Sequence, residues 1–239
     1  MRVSNPFLPA GRPACALTEC RACTRLVAWR AAQVLRVPPR HKAWVEQHGF
    51  WARPVPAFGD RGAWLAIVGL APAAQGANRT GRMFTGDRSG DFLFAALHRA
   101  GLATRVASVS RRDGLCLRGV LISAAVRCAP PQNRPRPAEV RRCAAYLRAD
   151  LASLRRLRVV LALGRLAHDA VLALLKDRAP APAGIVFRHG AEWPLPAGVV
   201  LVDSNHVSQQ NTFTGRLTAA MFDRILRRCR RIADMPARG

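Results

Sequence analysis

Two remote pairs of cysteines carry the most specific chemistry in this sequence. Cys20 and Cys23 form a C-x2-C hook, a spacing that brings two sulfurs from one tight loop to the same metal centre. Cys128 and Cys143 are further apart and are joined by a proline-rich stretch. A zinc ribbon uses two short hooks, whereas each iron of an iron–sulfur cluster takes a single thiolate and tolerates looser spacing. The pattern therefore favours a cluster, with zinc as the alternative.

The three remaining cysteines suggest a different role. Cys15, Cys116 and Cys229 stand outside this spacing, and we interpret them as small buried hydrophobic residues. The total of seven cysteines is odd, and the N-terminus has no basic segment followed by an apolar one. Together these features favour a reducing cytoplasm and argue against a disulfide framework.

A glycine-rich segment at residues 69–90 is the first of two segments that could bind a ligand. It matches neither the P-loop nor the dinucleotide-binding fingerprint, so a nucleotide cofactor is not expected. Phe84 stands between glycines, where its ring could stack on a base or fill the core. Asn78 and Asp87 are the polar groups best placed to meet a ligand. Their alternative roles are turn formation and helix capping, with Asp87 as a cap for a helix that begins near Gly90.

The second segment, residues 203–218, is rich in amides and hydroxyls. His206 follows an apolar run, and its imidazole could donate a hydrogen bond to charge that develops on a leaving group. The polar side chains after it suit insertion into a DNA groove, with an arginine for a phosphate. These candidate DNA-binding residues are Ser208, Gln209, Gln210, Asn211, Thr212 and Arg216.

The charge balance points to a polyanionic partner. Among 239 residues, 38 are Lys or Arg and only 14 are Asp or Glu, which gives a net charge of +24. A bias of composition towards arginine explains which cation is used but not the scarcity of carboxylates. Phosphate contacts supply much of nucleic-acid affinity, so we expect a nucleic acid rather than a membrane surface. No apolar run is long enough to span a bilayer.

Alternating apolar and amphipathic segments must position these two loops. We predict strands at Trp64–Gly69, Val120–Val126, Arg158–Leu163 and Val199–Val202, and helices at Phe92–Ala100, Glu139–Leu154, Leu166–Leu175 and Leu217–Ile232. Residues 1–40 are predicted to be irregular, and residues 178–184 to form an exposed loop. Strands separated by helices indicate an α/β fold with a parallel sheet covered on both faces. Ligands bind such sheets at the carboxyl ends of the strands, where both loops begin.

Three of these segments together resemble the uracil-DNA glycosylase superfamily, and specifically its type-5 branch. They are GLAPAAQGANRTGRMFTGDRSG at 69–90, VRCAPPQNRPRPAEVRRC at 126–143 and HVSQQNTFTGRLT at 206–218. The resemblance implies one domain over residues 1–239, in which segment 1–63 carries the cysteine hook. It implies three α/β/α layers around a parallel four-stranded sheet, and one 4Fe–4S cluster on the four cysteines named first.

The resemblance also implies the reaction. Such enzymes flip a damaged base out of the duplex and cleave its N-glycosidic bond, which leaves an abasic site. Phe84 would stack on the base, residues 209–212 would fill the gap in the duplex, and His206 would stabilise the charge on the departing base. Asn78 is the first candidate to position the attacking water, and Asp87 is the second. The partners would be double- and single-stranded DNA with deaminated bases, bound by a monomer.

The base-binding positions depart from many relatives. Gly69 and Ala71 open the first motif, and Ala71 stands where many members carry Asp or Asn. Ala124 stands where members often carry an Asn that reads the base edge, so we expect a broad pocket that accepts uracil and also hypoxanthine. Val207 replaces the usual proline after the motif histidine, which leaves that loop less rigid. The alternative function is a non-enzymatic, metal-stabilised DNA-binding or redox-sensing protein.

Overall fold

The computed structural model describes residues 5–8, 15–175 and 184–235, and its sheet is built from short apolar strands. The described strands, in chain order, are β1 (Phe58–Gly59), β2 (Leu65–Gly69), β3 (Val120–Ala124), β4 (Val159–Leu163), β5 (Glu192–Pro194) and β6 (Val200–Ser204). Nearly every residue of the four longer strands is buried, which is why they read as continuous apolar runs rather than alternating ones.

The helices cover both faces of the sheet. The described helices are α1 (Thr24–Ala32), α2 (Lys42–His48), α3 (Ala77–Thr80), α4 (Arg88–Arg99), α5 (Pro137–Ala152), α6 (Arg165–Leu175), α7 (Gln209–Phe213) and α8 (Ala219–Asp234). Short 3-10 turns occur at Leu17–Glu19, Gln33–Arg36, Pro39–His41, Pro131–Asn133 and Pro196–Gly198.

The strand order confirms the predicted class and corrects the number of strands. In the part of the chain that is described, six strands form one sheet in the order β1-β3-β2-β4-β6-β5. Strands β2, β3, β4 and β6 are parallel, as predicted. The short β1 and β5 add antiparallel edges to β3 and β6, so the sheet has six strands instead of four. Two- and three-residue strands give too short a periodic signal to be recognised in a sequence.

Side chains of the parallel strands alternate between two cores. Leu65 and Ile67 of β2 face a core that includes residues of α4 and α8, such as Phe94 and Phe222. Ala66 and Val68 face the opposite core, formed with residues of α5 and α6. The predicted three layers are therefore confirmed.

The N-terminal segment is more ordered than predicted. Residues 1–40 were expected to be irregular, yet α1 follows the cysteine hook directly, with Cys23 as the residue that precedes its first turn. Leu26 and Arg30 are its buried residues, and Leu26 packs beside Val126 and Cys128. A buried face this narrow leaves little apolar periodicity in the sequence. The loop predicted at 178–184 lies, apart from Gly184, outside the described residues.

A buried ion pair joins the end of the β3 segment to α5. The side chain of Arg127 is only 1% exposed, donates a 2.8 Å hydrogen bond to Ser123 Oγ and pairs with Asp150. Burial lowers the pKa of Arg127 to about 10, so its guanidinium stays charged at neutral pH. Because Asp150 carries the compensating charge, the pair fixes the segment that leads into Cys128.

We expect Asp150→Asn to lower the free energy of unfolding by about 3 kcal/mol, because it leaves a buried guanidinium without its counter-charge. Asp169→Asn is the matched control. The pair Arg165–Asp169 is 78% and 61% exposed, and its loss should change stability by less than about 0.5 kcal/mol. Urea unfolding at neutral pH measures both values, and equal effects would contradict this account of Arg127.

Candidate active site and cysteine site

The two candidate loops begin on the same side of the sheet, at the carboxyl ends of β2 and β6. Gly69, the last residue of β2, pairs with Ala124 at the end of β3, and the N–H of Ala125 donates to the carbonyl of Gly69 at 3.0 Å. The second loop leaves β6 after Ser204, which pairs with Leu163 of β4. The parallel strands thus bring both predicted loops to their carboxyl ends, as expected for this fold.

The ring of Phe84 lies directly on Gly69. A Cβ at position 69 would come within 2.7 Å of Phe84 Cζ, so any side chain there would displace the ring. Phe84 has a φ of 52°, and a Cβ at Gly90 would stand 1.8 Å from the Phe84 carbonyl oxygen. A glycine at 90 is therefore what lets this left-handed turn fold against α4. The ring is half-buried, since it packs on the core with one part still accessible.

His206 faces the same place from the second loop. Its ring centroid is 6.1 Å from that of Phe84, with the planes tilted by 32°. Asn211 Nδ2 donates a 2.8 Å hydrogen bond to the carbonyl of His206, which fixes the backbone. Within the described part of the chain, the imidazole nitrogens of His206 make no hydrogen bond or ion pair. Burial lowers the pKa of His206 to about 4, so the ring is neutral at physiological pH.

The residues after His206 form an exposed turn of helix. Gln209 and Gln210 of α7 are exposed, as is Arg216 beyond it, and the Arg216 carbonyl accepts a 3.0 Å hydrogen bond from Asn205 Nδ2. The other candidates, Ser208, Asn211 and Thr212, are half-buried and hold the turn through hydrogen bonds.

Phe213 was not among the residues predicted from the sequence, yet it lies at the end of α7 and is 73% exposed. The signal in the sequence that could have identified it is an aromatic residue within an amide-rich loop.

Asn78 is fully buried in α3, with one side of its amide anchored. Its Nδ2 donates to the carbonyls of Arg30 at 3.2 Å and Ala74 at 3.3 Å. Two carbonyl neighbours fix the orientation of the amide, because only the NH₂ group can donate to them. The Oδ1 atom is buried and has no hydrogen-bond partner among the described groups. A buried acceptor without a partner is costly, so this oxygen is a site where a water molecule would be stabilised.

Asp87 is the N-cap of α4, so its predicted capping role is confirmed. Its Oδ1 accepts a 3.0 Å hydrogen bond from the N–H of Gly90. Its Oδ2 lies so close to Gly76 that a Cβ there would stand 2.1 Å away. Burial raises the pKa of this carboxyl group. Asp87 is thus enclosed between two turns of the first motif, a position that shapes the loop.

The four predicted ligand cysteines line one cavity. It lies between the hook, the start of α1, the 126–128 segment and α5. The cavity is lined by Cys20, Cys23, Cys128 and Cys143, together with Leu26 and Tyr146. Ala71 packs against this group from the first motif, so this base-site candidate also borders the cysteine site.

Hydrogen-bond donors lie against two of the four sulfurs. Arg30 Nη1 donates a 2.9 Å hydrogen bond to Cys128 Sγ, and the N–H of Arg127 donates at 3.3 Å to Cys143 Sγ. Burial raises the pKa of Cys128 to about 11 and that of Cys143 to about 12, so both are neutral thiols when no metal displaces their protons.

The spacing of the four sulfurs bears on the kind of metal that this cavity could hold. Among the described residues, no three Cys, His, Asp or Glu side chains are grouped closely enough to bind one metal ion. A zinc ion needs each donor sulfur at about 2.3 Å from the metal, whereas a cluster needs thiolates that surround one cavity, one per iron.

The other three cysteines lie outside this cavity. Cys229 is buried, as predicted for a small hydrophobic residue, but Cys15 and Cys116 are exposed, and that prediction was wrong for both. Cys15 Sγ is 3.2 Å from Tyr146 Oη, so a polar partner holds it at the surface. Cys116 pairs through its backbone with Thr104 in an exposed turn.

The carboxyl ends of this α/β sheet thus bring together an aromatic ring and a neutral imidazole. A family model of the uracil DNA glycosylase superfamily matches residues 56–230, and the chain belongs to this superfamily. Its relatives also identify the branch. The type-5 uracil-DNA glycosylase of Thermus thermophilus is 50% identical over 92% of this chain and 96% of its own length.

Two further relatives agree. The type-5 uracil-DNA glycosylase of Mycobacterium bovis is 48% identical over 92% of this chain and 80% of its own length. That of Pyrobaculum aerophilum is 46% identical over 89% and 88%. The resemblance inferred from the three motifs is therefore confirmed, and the chain is a member of the type-5 branch. No helix in the described part of the chain is long and apolar enough to cross a membrane.

We expect the imidazole of His206 to titrate near pH 4 in the folded protein. Its pKa is near 6.5 in an unfolded chain, so the unfolded state binds more protons between pH 6.5 and 4. The free energy of unfolding should therefore fall as the pH falls through this window, and less so in His206→Gln. An NMR titration, with the ring signal assigned by its loss in the variant, measures the pKa. A midpoint near 6.5 would refute the burial argument.

Proposed function

We propose that this protein is a DNA repair glycosylase that flips uracil out of DNA and hydrolyses its N-glycosidic bond, leaving an abasic site. The observation that carries the proposal is the ring of Phe84 on Gly69, 6.1 Å from an imidazole that has no hydrogen-bond partner among the described residues. The names of the relatives support uracil in DNA as the substrate.

The site suits an extruded base. Gly69 and Ala124 end their strands with almost no side chain, so the ring of Phe84 can lie on Gly69 and offer its accessible part to a planar base that stacks on it. The exposed α7 turn would enter the space that the base vacates, with Phe213 as an apolar wedge between base steps. These groups hold the flipped nucleotide in place and keep bulk water from its outer face.

His206 would act on the departing base. When the bond between sugar and base breaks, electrons pass to the base and negative charge develops on a carbonyl oxygen. A neutral imidazole at this point can donate a hydrogen bond to that oxygen, as a fixed donor aimed at developing charge. The pKa near 4 means that the ring keeps this neutral form across physiological pH.

Asn78 is our choice to position the attacking water. Its NH₂ group is held by two carbonyls, and its unpartnered Oδ1 can accept a hydrogen bond from water. An amide cannot remove a proton as a carboxylate does, so its role would be to orient the water towards the electron-poor sugar. Asp87 is less suited because its carboxylate caps α4 and lies against Gly76.

The pocket should accept more than one deaminated base. Ala124 is buried and carries no polar group to read the Watson–Crick edge, and Ala71 leaves no carboxylate or amide at its position. We therefore propose hypoxanthine as a second substrate beside uracil. DNA containing either base, in single or double strands, would be bound by a monomer in the cytosol, with Arg216 and other exposed arginines on the phosphates.

We also propose that Cys20, Cys23, Cys128 and Cys143 hold one 4Fe–4S cluster. In this position the cluster would supply cross-links between the hook, the 126–128 segment and α5. The N–H groups of Arg30 and Arg127 at two sulfurs support bound thiolates, since such donors stabilise negative charge on sulfur. The groups that would act on the base are Phe84 and other residues of the two loops.

The wild-type protein is expected to release uracil from a duplex that contains one U·G pair, and His206→Ala to slow this release by about 10²- to 10³-fold. Single-turnover assays measure the rate, with abasic sites cleaved by hot alkali, and a parallel hypoxanthine duplex tests the breadth of the pocket. Affinity for undamaged DNA serves as the control for folding.

Wild-type protein that binds both duplexes but releases neither base would disprove the glycosylase assignment and support the non-enzymatic alternative. Equal rates for wild type and His206→Ala would remove His206 from the mechanism.

For the cofactor, Cys128→Ser should remove visible absorption and most of the iron from protein purified without oxygen. Cys116→Ser is the matched control, because that cysteine is exposed and lies away from the cavity. Metal analysis of wild type that finds zinc and no iron would overturn the cluster proposal.

A further inference from the structure

A basic, aromatic groove lies beside the first motif and has no part in the chemistry described so far. It runs between α2 and the segments 51–53, 79–80 and 110–112, and we call it the α2 groove. Its main side chains are Trp44, Trp51, Arg53, Arg79, Arg111 and Arg112.

The α2 groove is suited to an anion. No carboxylate belongs to its lining, which includes four arginines. Arg53, Arg111 and Arg112 are exposed, and within the described part of the chain their guanidinium groups make no hydrogen bond or ion pair. By contrast, Arg99 and Arg228 on other surfaces each pair with a carboxylate. The donors of the groove are therefore free to bind phosphate oxygens.

The two tryptophan rings of the groove are already covered. Trp44 stacks on His48 with centroids 4.5 Å apart, and the guanidinium of Arg79 lies 4.3 Å from its ring. Arg111 lies 4.2 Å from the ring of Trp51. A stacked guanidinium keeps its N–H edges available while its position is fixed. The tryptophans thus orient arginines, and they do not offer open faces to bases.

Arg79 adds a buried charge at the floor of the groove. Only 3% of the residue is exposed, and its Nη1 has no hydrogen-bond partner among the described groups. Its Nε and Nη2 donate to the carbonyls of Gln75 and Gly86. An anion bound above this guanidinium would offset the cost of burying it.

Backbone hydrogen bonds link the groove to the first motif. The N–H of Trp51 donates a 2.9 Å hydrogen bond to the carbonyl of Arg79, and that of Ala52 a 3.0 Å hydrogen bond to the carbonyl of Asn78. A Cβ at Gly81 would touch both Trp51 and Arg111, so the turn towards Phe84 packs on the groove wall. One segment therefore forms the groove floor and then presents the stacking ring.

We propose that the α2 groove binds the sugar–phosphate backbone of the DNA strand next to the flipped nucleotide, through Arg53, Arg111 and Arg112, without reading bases. The inference rests on the proposed action on DNA. It assigns a sequence-independent contact to a surface outside both loops that surround the base.

The test compares two double variants with the same change of charge. Arg111→Gln/Arg112→Gln removes two groove cations, whereas Arg155→Gln/Arg156→Gln removes two from a surface that precedes β4, beside Asp234. Fluorescence anisotropy with an undamaged 20-base-pair duplex at several salt concentrations gives the dissociation constants. The slope of log Kd against log salt concentration should be smaller in the groove variant than in the wild type by about 2, since each lost phosphate contact removes about 0.9.

Arg112→Gln alone is a second test, because among the described residues this side chain makes no hydrogen bond or ion pair whose loss could unfold the protein, and its slope should fall by about 1. The loss of affinity should be the same for uracil-containing and undamaged duplexes. Equal slopes for the groove and control variants would overturn the proposal, even if wild type releases uracil. A reduced slope in a protein that releases no base would support the groove and refute the glycosylase function.

Discussion

The close approach of the Phe84 ring to Gly69 is the contact on which the candidate site depends. Strand β2 must end without a side chain for the ring to lie on it, and Gly90 must lack one for the left-handed turn at Phe84. Asp87 then caps α4 and closes the same loop from the other side. One set of steric constraints thus places the ring of Phe84 opposite His206.

A second set of contacts ties the N-terminal segment to this loop. Arg30 of α1 donates to Cys128 Sγ through its guanidinium, while its backbone carbonyl accepts from Asn78. Ala71 packs on the same cysteine cavity. The cysteines, which carry the most specific pattern in the sequence, therefore support the shape of the first motif from behind. The groups that would touch a base come from the strand ends.

The sequence was sufficient for the features that repeat or match long motifs. The four parallel strands and the helices between them were predicted because each strand is a continuous apolar run and each helix an amphipathic one. Both loops were placed at the strand ends. It was not sufficient where geometry depends on tertiary contacts. The edge strands β1 and β5 are too short to show periodicity, α1 buries a narrow face, and exposure of Cys15 depends on Tyr146. The anchored amide of Asn78 likewise needs a carbonyl from a distant helix.

The carbonyl of Arg30 lies outside the region that the superfamily model matches. That region starts at residue 56 and includes every strand of the described sheet, the ring of Phe84 and the imidazole of His206. Yet the anchor of the Asn78 amide and half of the cysteine set precede it. A protein trimmed to the matched region would keep Phe84 and His206 and lose the carbonyl that anchors the Asn78 amide.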